Sequence, residues 1–252
     1  MKTLTLFIGL LLALNCVGQE SADSIPHTSL FKRMMHRDYY VFNGHWSGFN
    51  FGFVNFGNTG YSDYSPETGE FMELDRANSF VMQLNFFEKS FNLVPKNNFG
   101  IILGLGLEYQ RFSFENKNQS IARNEQGRIY PVYYPDLDTR RSTFKTLYLT
   151  VPVLFEQQFP AKWRKRFYVS AGVIGGVRMH SKTKVVYDDA DGGKKKMKDS
   201  GSYSMIPVKA DILAKVGYGN FNIWSSYTLT GMFKPGKGPE VHPYSIGLGI
   251  SF

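Results

Sequence analysis

The chain has 252 residues, 29 Lys and Arg against 21 Asp and Glu, a formal net charge of +8 and one cysteine. A single cysteine excludes an internal disulfide or a thiolate metal cluster, and the five scattered histidines give no pair at metal-ligand spacing, so neither a metal nor a cofactor is expected. With 22 Phe, 15 Tyr and 25 Gly, and no segment after the N-terminus approaching ~18 consecutive apolar residues, a transmembrane helix is excluded and β structure is the expected class.

Met1 and Lys2 give a short positive start, and Leu4 to Leu14 is a nearly unbroken apolar run. The run fits a signal-peptide core and is too short to span a bilayer as a helix. Cys16-Val17-Gly18 puts small residues at both key positions of a cleavage site, so residues 1–18 read as a signal peptide cut before Gln19. Acylation of Cys16 is the alternative, disfavoured because Asn15 rather than a small residue precedes it. Residues 19–43 read as a periplasmic N-terminal segment. Its stretch Phe31 to Arg37 interleaves basic and apolar residues, as in an amphipathic piece, a partner-binding arm or a leader. Export argues against nucleic acid as a partner; the basic balance suits anionic headgroups or acidic polymers.

From residue 44 to 252, period-2 alternation recurs. Phe49, Phe51 and Phe53 alternate with Gly48, Asn50 and Gly52. The segment 78–93 follows, with a phase slip at Phe86-Phe87 that predicts a bulge. Phe99 to Tyr109 and Leu147 to Phe155 carry large apolar residues at every second position; Phe167, Val169, Val173 and Val177, with Ala171 and Gly175 between, and Phe221, Ile223, Tyr227 and Leu229 follow the same phase. The segment 202–216 reads less cleanly. Tyr244, Ile246, Leu248, Ile250 and Phe252 form the last row, opposite Ser245, Gly247, Gly249 and Ser251. Large residues on one face and small or polar ones on the other suit a barrel that shows its large face to lipid; a soluble barrel inverts that arrangement. The expected fold is all-β, an eight-stranded antiparallel outer-membrane β-barrel.

The connections alternate in length. Residues 95–98, 160–166 and 217–220 are short; 57–77, 117–141, 186–201 and 232–242 are long. Short inner turns and long outer loops are the outer-membrane pattern, which places both termini in the periplasm.

Tyr148-Leu149-Thr150-Val151-Pro152-Val153-Leu154-Phe155-Glu156 resembles the YLxxPxLLE strand of the PorT-like outer-membrane β-barrel family, common in Bacteroidota, with Phe155 in place of a leucine. Phe167 to Gly172, Val216 to Phe221 and Tyr244 to Phe252 are similar to later parts of that family. The resemblance covers most of residues 44–252. It implies an outer-membrane barrel read by the barrel-assembly machinery through its terminal aromatic, and, for the founding type, a link to the type-nine secretion system.

An eight-stranded barrel has room inside only for side chains. The alternation turns Glu108, Glu156, Arg178, Lys209, Asp211 and Lys215 inward, where charges must pair. Lys209 and Asp211 are expected in a lumenal network with Glu108 or Arg178, structural by default, an ion path otherwise. No catalytic pair stands out: His180 and Ser181 are strand neighbours on opposite faces, and His242 with Ser245 lacks an orienting carboxylate. The chain is therefore not expected to be an enzyme. The first loop is acidic (Asp63, Glu67, Glu70, Glu73, Asp75) and the third basic (Lys194, Lys195, Lys196, Lys198). Asp188 to Gly192 lacks the distal glutamate of an EF-hand and reads as a turn. Tyr130, Tyr133 and Tyr134 among prolines suit a protein or glycan contact. The expected role is structural, adhesive or in assembly. A narrow transport accessory and a lipid-modifying enzyme are the alternatives. Expected partners are outer-membrane lipid, the barrel-assembly machinery and an envelope or secretion-system protein.

Overall fold

The computed structural model describes residues 42–65, 68–160, 166–189 and 193–252. The expected signal peptide, Cys16, most of the N-terminal segment, Glu67 and Asp191 lie outside the described residues.

Eleven strands are present among the described residues: β1 (Gly48–Gly60), β2 (Phe80–Asn92), β3 (Phe99–Ser113), β4 (Gln119–Arg123), β5 (Ile129–Tyr133), β6 (Asp138–Pro160), β7 (Arg166–Asp188), β8 (Lys194–Ser200), β9 (Val208–Tyr218), β10 (Phe221–Thr228) and β11 (Glu240–Ser251). Eight of them, β1, β2, β3, β6, β7, β9, β10 and β11, form a closed antiparallel ring in chain order. The ring shuts where β1 meets β11, with Gly48 opposite Ser251 and Phe53 opposite Ile246. Closure removes the free edges that an open sheet would expose.

Side-chain alternation sets which face is which. Ile223 is 58% exposed and Leu248 66%, while the intervening Trp224 is 1% exposed. Large apolar residues therefore coat the outside, the reverse of a soluble barrel. Aromatics cluster at both rims of this coat. Phe99 and Phe155 pair at 6.2 Å, as do Phe159 and Phe167 at 5.9 Å, near the short turns; Phe80 and Tyr109 pair at 6.2 Å toward the long loops.

Two of the four register shifts among the described residues reset which face the side chains take. Between β2 and β3 the register shifts at Asn85 and Phe87, which lets Phe86 and Phe87 both face outward. This is the bulge expected from the sequence. A second shift beside Leu147 and Tyr148 leaves Met179 unpaired, so Met179 and His180 both lie outside and Ser181 returns inside.

The long-loop end is more ordered than the sequence suggests. β6 and β7 run for 23 residues each, roughly 75 Å of strand at ~3.3 Å per residue, well beyond the ~25 Å apolar band. The second long connection holds the β4–β5 hairpin, and the third holds β8, which continues the sheet along β7. In the segment 202–216, expected as one strand, the barrel strand begins only at Val208, after an isolated bridge between Met205 and Phe233. Tyr203 and Ser204 take left-handed conformations, with φ of 46° and 47°, and turn the chain inward. Phe71, Met72, Phe114, Ile121, Ile129, Phe144, Tyr203 and Met205 are buried in a core formed by these connections and the strand ends.

Candidate functional site

The lumen is filled in layers. Between β3 and the start of β9, the Lys209 ammonium lies 2.6 Å from Glu108 Oε1 and 2.6 Å from Asp211 Oδ2. Glu108 accepts from Gln83 Nε2 at 3.0 Å, and Gln83 Oε1 accepts from Asn50 Nδ2 at 3.0 Å. The network thus ties β9 to β3, β2 and β1 across the barrel. All three charged side chains are buried, and the ammonium also lies 4.8 Å from the Tyr148 ring. Two carboxylates around one ammonium, with Gln83 donating to Glu108, offset much of the desolvation that burial imposes, and Asp211 Oδ1 is left without a partner among the described residues. Arg178 stands beside this layer, but its guanidinium donates to the Ser202 carbonyl at 2.5 Å.

Nearer the short turns, the chain that leads into β1 enters the barrel. Trp46 and Phe42 are buried against β3. Gly104 and Gly100 make this possible: a Cβ at Gly104 would collide with the Trp46 indole, and one at Gly100 with the Phe42 ring. His45 Nδ1 meets Glu156 Oε1 at 2.7 Å, and its ring stacks on Tyr168 at 3.8 Å. Glu156 also accepts from Ser170 Oγ and Gln158 Nε2. Glu88 accepts from the amides of Trp46 and Ser47 at 2.7 and 2.8 Å. Lys215, 1% exposed, donates to the His45 carbonyl at 3.0 Å. Residues 42–47 are therefore a plug, held by acids from β2 and β6 and a lysine from β9.

At the opposite end the surface groups sit on a rigid base. Tyr130 and Tyr133 on β5 are 41% and 53% exposed. Tyr134 is half-buried, and burial raises its phenol pKa. The hairpin is fastened to the first loop by Arg128, which stacks on Tyr64 at 4.5 Å and donates to the Asp63 carbonyl. The Tyr64 hydroxyl donates to the Ile129 carbonyl at 2.7 Å. Lys194 and Lys196 on β8 are exposed, and Lys195 is paired with Asp189.

The structure thus brings Glu108, Lys209 and Asp211 together and leaves Arg178 at their edge. The tyrosines and the lysine run occupy separate strands of the long-loop end. His45, Trp46, Glu88 and Tyr168 were not anticipated as a unit. One signal was available: beyond the bulge at Phe86, the strand phase inverts and turns Glu88 inward. Ser181 and His180 lie on opposite faces. Ser245 is buried, whereas His242 stacks outside on Tyr227. Among the described residues no cluster of three or more metal-ligating side chains occurs.

The family model described as "Outer membrane protein beta-barrel domain" matches residues 44–234. No curated protein matches the chain significantly. Among solved structures, Ail, the attachment invasion locus protein of Yersinia pestis, is similar at 15% identity. The alignment covers 82% of this chain and 99% of that one, with a TM-score of 0.30. A second structure of Ail, in complex with the heparin analogue sucrose octasulfate, is also 15% identical over 81% and 97% of the two chains, with a TM-score of 0.31.

Proposed function

The chain belongs to the outer-membrane protein β-barrel domain family, and from that premise we propose that it is a filled, non-enzymatic membrane anchor whose long-loop end serves as an adhesive or assembly surface outside the cell. In this reading the short turns and both termini face the periplasm. One observation carries the proposal: the long-loop end is a packed extension of the barrel that holds Tyr130 and Tyr133 in the open. Ordering such a surface before contact lowers the entropic cost of binding, and exposed tyrosines add large amphipathic contact area. The plug at Phe42 and Trp46 and the charge layer at Lys209 favour this reading over a conduit. The opposite-face placement of His180 and Ser181 argues against hydrolysis of lipid.

Within the family, the resemblance of the Tyr148 to Glu156 strand to the YLxxPxLLE motif supports assignment to the PorT-like branch; in this chain its terminal glutamate fastens the plug. An envelope or secretion-system protein is then the expected partner. Photo-crosslinking in living cells, with the reactive residue in place of Tyr133, tests the proposal. A discrete adduct with a surface protein or glycan, absent when the crosslinker replaces Lys96 in a short turn, is the expected outcome. An adduct pattern that does not differ between the two positions would remove the contact role from this surface.

A further inference from the structure

Beyond the long-loop platform, one part of the outer wall has an unusual charge distribution. On β3, Arg111 continues the outward row immediately past Tyr109. Its strand partner on β6 is Lys145, and the partner of Lys145 on β7 is Lys182. One step further along β7, Lys184 stands opposite Lys198 on β8. Four adjacent strands thus carry cations side by side on one face. Arg141 and Lys196 lie close enough to act electrostatically on Lys184.

Three acids near these strands are engaged with other groups. Asp188 holds Arg140 at 2.5 Å, Asp189 pairs with Lys195, and Asp199 receives the Tyr203 hydroxyl at 2.9 Å. Asp75 is the acid that acts on Arg111 from the margin, and its carboxylate already accepts from Asn78 and Ala77. Nε and Nη2 of Arg111 are buried with no hydrogen-bond acceptor among the described residues. A buried guanidinium nitrogen without an acceptor is costly, as is a row of like charges across paired strands.

Position selects the counter-charge. The Arg111 guanidinium lies 5.3 Å from the Phe80 ring and the Lys145 ammonium 5.8 Å from the Tyr109 ring. Those two aromatics belong to the girdle that closes the apolar band. The strip therefore begins where hydrocarbon gives way to headgroups. Anions held at that height, beside the barrel wall, are lipid phosphates.

We infer that the strip of Arg111, Lys145, Lys182, Lys184 and Lys198 is a docking site for a phosphate-bearing lipid headgroup, with Arg111 and Lys145 gripping one phosphate from the aromatic rim. The outward orientation proposed above decides only which leaflet supplies the lipid. A two-sided lipid disc tests the site independently of it.

The full chain, folded in phosphatidylcholine nanodiscs doped with bisphosphorylated lipid A or with its dephosphorylated form, is examined by native mass spectrometry. Phosphorylated lipid A is expected to be retained at least about tenfold more than the dephosphorylated form. Arg111→Gln/Lys145→Gln/Lys184→Gln is expected to abolish that preference, while Lys96→Gln/Lys117→Gln/Lys194→Gln, which removes the same charge elsewhere, retains it. Heat-modifiability on gels shows that each variant has folded. The wild-type comparison of the two lipids stands without any variant. Equal retention of both lipids, or a preference surviving the first triple substitution, overturns the proposal. Inorganic pyrophosphate binding as tightly as lipid A would also overturn it, since a soluble phosphate site needs no lipid.

Discussion

Lys209 shows what the barrel interior demands of a residue. Its ammonium is the cation shared by Glu108 and Asp211. Lys209→Met would leave two buried carboxylates facing each other and is expected to destabilise the folded barrel by about 3–5 kcal/mol. Combining Lys209→Met with Glu108→Gln and Asp211→Asn removes the charges together and should restore most of that stability. Urea unfolding in detergent micelles measures both variants; a single substitution with no effect on the midpoint would show that the network contributes nothing. This layer was legible in the sequence, because period 2 dictates which residues face inward and eight strands leave no water-filled lumen to solvate them. The His45–Glu156 contact was not. It joins residues 111 positions apart through a segment that has no strand periodicity of its own.

At the level of elements, the barrel strands follow from alternation, and even the bulge at Phe86-Phe87 is written as a phase slip. The platform was less visible. β4, β5 and β8 have no apolar alternation: β5 and β8 are largely exposed, β4 buries Gln119 and Ser120 beside Ile121, and their order comes from packing on neighbours. Tyr203 illustrates that dependence. It sits in a turn with positive φ, and its hydroxyl meets Thr183 and Asp199 at 2.8 and 2.9 Å. Burial pushes its phenol up to about 12. An unfolded tyrosine loses its proton near pH 10, so the stabilisation from neutral Tyr203 is whole below pH 10 and is lost as the pH climbs toward 12. Proteinase K should therefore begin to cut between β8 and β9 over that interval, and Tyr203→Phe should remove this pH dependence while keeping the ring in the loop core. Cleavage that sets in at the same pH in both proteins would assign the transition to another group.

For the whole molecule, one closed ring separates two kinds of structure. Toward the short turns, residues 42–47 are drawn into the lumen and bound by Glu156, Glu88 and Lys215. Toward the long loops, β6 and β7 extend past the apolar coat and carry a continuation of the core with tyrosines and lysines on its surface. The family and the closed topology establish an outer-membrane barrel, and the asymmetry of its ends is the basis for the anchor-and-platform role. The direct test is labelling of intact cells with a membrane-impermeant maleimide, using Cys16→Ser variants that carry Tyr130→Cys on β5 or Asn97→Cys in a short turn. Tyr130→Cys is expected to react on whole cells and Asn97→Cys only after the envelope is opened. The opposite pattern would turn the platform toward the periplasm and contradict the account.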